Sequence, residues 1–105
     1  MKKQLFGFFN RKTDSYEGFV IFDDIHALLD YERALYRCSK SKECDNFQFA
    51  DYILYPEDFS IFCLGFVDYT PNSYLDWLTP AFENCGDFDV LLGDGKNESE
   101  HKEEV

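Results

Sequence analysis

The chain has 105 residues, with 21 acids against 10 bases, a formal charge of -11, and 12 Phe, 7 Tyr and 1 Trp. A chain of this length is of ordinary single-domain size and buries roughly 60 to 70 % of the surface that its unfolded form exposes, so folding requires neither disulfide nor metal. Its aromatic content excludes extended disorder. Its charge repels nucleic acid and anionic membranes, and the expected partner is basic.

Met1-Lys2-Lys3 opens like a signal peptide, but the apolar run behind it, Leu5 to Phe9, is interrupted by Gly7 and closed by Asn10, Arg11 and Lys12. That is too short for a secretory core of about 7 to 15 apolar residues or a membrane span of about 20. Residues 4–9 are therefore predicted as a strand and the protein as cytoplasmic. Residues 17–22 form a second Phe-containing apolar run, and the polar stretch 10–16 makes the pair a hairpin. Asp23 and Asp24 then precede Ile25, Leu28, Leu29, Leu35, Tyr36 and Cys38, which share one helical face, so a helix is predicted over about 24–38. Arg33, Arg37, Lys40 and Lys42 suit the negative end of its dipole.

Two apolar runs of about nine residues, 47–55 and 59–68, flank Pro56-Glu57-Asp58 and predict a second hairpin. In that register Ile53 faces Ile61, Asp51 faces Cys63, and Tyr52 faces Phe62. Both faces are largely apolar, so one side is expected to be covered by helices and the other by a further helix, a second copy or a partner. Asp51 interrupts an otherwise apolar face. Either a slip or bulge returns it to solvent, or it is a functional carboxylate in an aromatic setting. Farther on, Thr70-Pro71 and Thr79-Pro80 resemble helix starts, and predict a short helix through Tyr74, Leu75, Trp77 and Leu78 and another through Ala81, Phe82 and Cys85, closed by Gly86. Phe88 to Leu92 is predicted as a last strand. The expected fold is α+β: a single domain over 1–92, order β-β-α-β-β-α-β, with a mostly antiparallel sheet of four or five strands, two or three helices, and a disordered acidic tail over 93–105.

Catalytic and metal motifs are weak. Cys38, Cys44, Cys63 and Cys85 lack paired spacing for zinc, and without a secretory signal they are expected to be reduced structural thiols. His26 is the only histidine within the predicted domain, and no spacing selects a cysteine to partner it. Gly86-Asp87-Phe88-Asp89 departs from a calcium loop, because Leu91 and Leu92 stand where a ligand and a glycine belong. There is no glycine-rich phosphate loop. No cofactor, metal or catalysis is expected.

Charge placement says more. Residues 1–42 carry a net +2, residues 43–95 carry -11 without a single Lys or Arg, and residues 96–105 carry -2. Tyr52, Tyr55, Tyr69, Tyr74 and Trp77 lie within the acidic block. Acids could steer a cationic partner while aromatics anchor it; the same residues could equally be a solvating surface over an aromatic core. In size, α+β plan, acidity and this acid-plus-aromatic block, the chain resembles bacterial toxin-immunity proteins, including those of contact-dependent growth inhibition. That resemblance implies an inhibitor that occludes the cationic active site of a basic toxin, in the expected case a nuclease. The candidate partner-binding residues are Glu57, Asp58, Asp68, Tyr69, Asp76, Trp77, Glu83, Asp87 and Asp89, near predicted loops or helix starts. The alternatives are a DNA-mimic inhibitor of a DNA-binding enzyme and a small-molecule-binding domain with an aromatic pocket around Asp51 or His26. A homodimer through the uncovered face of the sheet is a further possibility.

Overall fold

The computed structural model describes residues 2–44, 47–68 and 78–93. Strands β1 (Lys2–Asn10), β2 (Ser15–Phe22), β3 (Phe59–Asp68) and β4 (Leu78–Asp87) form one sheet of order β2-β1-β3-β4, every pair antiparallel. Helix α1 (Ile25–Ser39) follows β2, a short helix α2 (Asp51–Leu54) precedes β3, and residues 88–93 are helical. The α+β class, the antiparallel sheet and the first hairpin agree with expectation.

Local chemistry explains the early elements. In the β1–β2 turn, Asn10 Oδ1 accepts from the amides of Lys12 (2.8 Å) and Thr13 (3.3 Å), and Asp14 takes the left-handed φ of 57° that Asp tolerates. Asp24 caps α1 by accepting from the Ala27 amide at 2.9 Å.

The second half departs from the predicted order in three places. Residues 47–55 are not a strand: the chain turns at Ala50, whose carbonyl accepts from the amides of Ile53 and Leu54, and α2 follows. A strand facing β3 would have set Asp51 in an apolar face. The helical turn leaves Asp51 in solvent while Ile53 enters the core. The neighbours of Ile61 are instead Phe8 on β1 and Gly86 on β4.

Residues 81–85 are not a helix but the middle of β4. Pro80, read as a helix start, sits opposite Gly65 in an edge strand, where a missing N–H is tolerated. Residues 88–93 are helical rather than extended. Gly86, at φ +124°, sits at a bulge one residue before β4 ends at Asp87, and Phe88 and Leu92, four residues apart, both enter the core. Arg33 of α1 donates to the carbonyls of Leu91 (2.9 Å) and Leu92 (3.3 Å) and so satisfies the end of this segment. The predicted helix over Tyr74–Trp77 and the tail beyond Gly93 lie outside the described residues; Leu78, assigned to that helix, begins β4, and Gly93 is helical.

The cysteine expectation is also corrected. Cys38 and Cys44 are bridged, with Cα atoms 5.9 Å apart, because the turn after α1 folds the chain back on its last helical turn. Cys63 and Cys85 are free thiols.

The core lies on one face of the sheet, where Phe6, Phe8, Phe59, Ile61 and Cys63 meet Leu28 and Leu29 of α1, Ile53 of α2, and Phe88 and Leu92. Phe8 stacks on Tyr52 (centroids 3.8 Å apart), and Phe88 and Phe59 meet these rings edge-on. Among the described residues, no helix is long and apolar enough to cross a membrane.

Candidate functional site: an aromatic sheet face beside an acidic end

All the described helices pack on that inner face. The outer face carries a second aromatic set that spans every strand. Phe19 and Tyr16 of β2 lie 5.6 Å apart between ring centroids; Tyr16 meets Phe9 of β1 (5.2 Å) and Phe62 of β3 (6.1 Å); Phe62 stacks on Phe82 of β4 (4.9 Å). Phe9 and Phe62 also meet edge-on at 5.7 Å. The middle rings are half-buried by one another, whereas the end rings stand in solvent, Phe19 59 % and Phe82 71 % exposed.

Gly7 makes the band possible. A Cβ there would lie 2.8 Å from Tyr16 Cδ1 and 3.0 Å from Leu64 Cδ1, so the absence of a side chain lets the tyrosine ring lie across β1. A bulge helps to bring Tyr16 there: Phe8 pairs with Gly18 but Phe9 pairs with Tyr16, leaving Glu17 as the extra residue, whose carboxylate accepts from Asn10 Nδ2.

Strand register also gathers charge at one end of the sheet. Asn10 pairs with both Ser15 and Phe59, and Ser60 pairs with Asp87, so the β1–β2 turn, residues 56–58 and residues 87–89 are neighbours. Among the described residues, this end holds Asp14, Glu17, Glu57, Asp58, Asp87 and Asp89 against Arg11 and Lys12. Of the nine sequence-predicted residues, four are thereby brought together: Glu57, Asp58, Asp87 and Asp89. Two of them are already paired, Asp87 with Arg11 at 2.8 Å and Asp58 with Lys12 at 3.4 Å. Arg11 also donates to the Glu57 carbonyl, and its own amide to the Asp58 carbonyl at 2.9 Å. Bases from the first 42 residues thus neutralise part of the acidic block. Glu57 and Asp89 are exposed, and Asp89 accepts from the Val90 amide at 2.9 Å.

Of the other five, two lie elsewhere and three fall outside the described residues. Asp68 ends β3 at the opposite end of the sheet, paired in the ladder with Lys2. Glu83 pairs with Cys63 on β3 and lines a cleft of about 510 Å³ between α1 and β4, together with His26, Gln4 and Cys85. Tyr69, Asp76 and Trp77 lie outside the described residues. Asp51, proposed as the centre of an aromatic pocket, is exposed on α2 and does not line the cleft. Among the described residues, no group of three or more His, Cys, Asp or Glu is placed to hold a metal ion.

Three further groups have shifted acidities. Glu32 of α1 is 1 % exposed, neither carboxylate oxygen has a hydrogen-bond partner among the described residues, and burial raises its pKa to about 7. Burial first, then the Glu32 and Tyr31 charges, push the Tyr52 phenol above its ordinary value. The Cys85 thiol is likewise raised, chiefly by burial.

Sequence reasoning missed the outer band. Phe9, Phe19 and Phe62 sit in runs where both strand parities are apolar, as in Phe19-Val20-Ile21-Phe22, so alternation could not assign them to a face, while Tyr16 falls in the polar stretch expected to be a turn and Phe82 in the segment expected to be helical. No family model, no curated protein and no solved structure matches this chain.

Proposed function

We propose that this chain is an acidic binding protein of the immunity type, which neutralises a basic protein toxin, in the expected case a nuclease, by occluding its cationic active site. The observation that carries the reading is the end of the sheet where, among the described residues, six carboxylates outnumber two bases beside an exposed aromatic face. Such a surface attracts a cationic partner over distance and offers apolar area at contact. Catalysis by the chain itself is not required. The inhibitor would meet its toxin in the cytoplasm, where glutathione and thioredoxin act on the Cys38–Cys44 bridge.

The test is binding to a catalytically silenced form of the protein encoded by the adjacent gene. Tight association that weakens with salt supports the reading. Glu57→Lys with Asp89→Lys should slow association several-fold and flatten its salt dependence. An adjacent product that neither binds nor is toxic sinks it.

A further inference from the structure

Deepening that reading, we propose that the outer aromatic band is the anchor of the interface, and that its occupant is a folded cationic protein surface whose Arg and Lys side chains lie on the exposed rings of Phe19 and Phe82. Four observations converge on it.

The band is organised before any partner arrives. Five rings from four strands hold one another through centroid distances of 4.9 to 6.1 Å, and the two end rings are more than half exposed. Little side-chain freedom remains for the middle rings to lose on binding. The band also has the breadth of a protein contact. Four strands at about 4.8 Å spacing set its ends about 14 Å apart across a sheet face. A peptide strand adding to the β2 or β4 edge would leave this face uncovered.

Charge selects the sign of the occupant. The rings lie beside the acidic end, and an aromatic face attracts ammonium and guanidinium groups through its own quadrupole. Acids and rings therefore favour the same partner atoms. Charge also argues against a second copy of the chain. Each copy carries -11, so stacking two outer faces would bring two such charges together.

The test uses the full chain carrying 4-fluorophenylalanine and two probes, a hexa-arginine peptide and the silenced product of the adjacent gene. The fluorine signals of Phe19 and Phe82, assigned with Phe19→Leu and Phe82→Leu, should shift with both probes, while those of the buried Phe8 and Phe88 stay fixed. Phe19→Ser with Phe82→Ser should weaken binding of the adjacent product by about 30-fold or more, mainly through faster dissociation, and keep the salt dependence. Phe82→Tyr should retain binding, and matching thermal unfolding of all variants separates a lost contact from a lost fold. Fixed Phe19 and Phe82 signals with both probes, or a double Ser variant that binds as the parent does, overturn the proposal. If the adjacent product does not bind but the peptide still shifts both signals, the immunity reading falls and the cationic anchor stands. If the product binds and only the charge reversals matter, the anchor falls and the immunity reading stands.

Discussion

On the inner face of the sheet, Phe6 and Phe8 are closed off by α1, α2 and residues 88–93, and almost none of their surface reaches water. On the outer face, Phe19 and Phe82 stand mostly in solvent while Phe9, Tyr16 and Phe62 shield one another. The residue types are the same on both sides. What separates core from surface among the described residues is cover, and a contiguous aromatic surface that they leave exposed is a feature of proteins that meet partners.

Several measurements would break or sharpen that contrast. The largest effect is expected from Phe8→Ala, which removes a ring packed against Tyr52 and Phe88 and should cost about 3 to 5 kcal/mol in urea unfolding. Phe82→Ala should cost under about 1 kcal/mol in the same experiment, as an exposed substitution does. Equal losses at the two positions would mean that the faces do not differ in the way described.

The inner face contains one discordant group, Glu32. Its pKa is about 7 in the folded chain against 4.5 as the ordinary value, so between those pH values the folded state holds a proton that the unfolded state releases. Stability should be greatest, as far as this group decides it, below about 4.5 and should fall as pH rises to about 7, by about 3 kcal/mol in all. Glu32→Gln should flatten that slope in unfolding experiments run across the window. A slope that survives the substitution assigns it to other groups.

Next in size is Gly7→Ala. The new methyl group must displace the Tyr16 ring or the Leu64 side chain, and a cost of about 1 to 3 kcal/mol is expected, with the Tyr16 ring signals shifted in NMR spectra. The smallest effect belongs to Arg11→Gln, which removes a half-exposed pair with Asp87 and should change stability by under about 1 kcal/mol. It should nevertheless speed association with a basic partner, because it leaves the acidic end more negative.

Much of the first half was legible because each signal had one local cause. Asp24 precedes a helical apolar face and caps α1, and the polar stretch after Phe9 turns the chain through the Asn10 side chain. In the second half, tertiary competition decided. Residues 47–55 have the composition of a strand, but both edges of β3 are taken by β1 and β4, and a helical turn spares Asp51 from burial. Thr79-Pro80 is chemically a good helix start, yet an edge strand accepts that proline as well. The periodicity of Phe88 and Leu92 was readable in principle, and Arg33, far away in sequence, supplies the carbonyl partners that a helical end needs. The acidic site was partly visible, since Glu57, Asp58, Asp87 and Asp89 do come together. The pairing of Asp58 and Asp87 with Lys12 and Arg11 was not, because charge counted along a chain carries no information about folding back.

The strand order has a consequence for how the chain reaches this state. Of the four described strands β1 is made before the others, yet it is an interior strand, and its partner β3 lies far along the chain, with Lys2 opposite Asp68. The early β1–β2 hairpin must therefore wait with the β3-side edge of β1 unpaired and an aromatic face on each side until β3 emerges. Long-range pairings of this kind slow folding and leave sticky intermediates. The same outer rings that suit a mature surface are, in the nascent chain, the segment with most to gain from a chaperone.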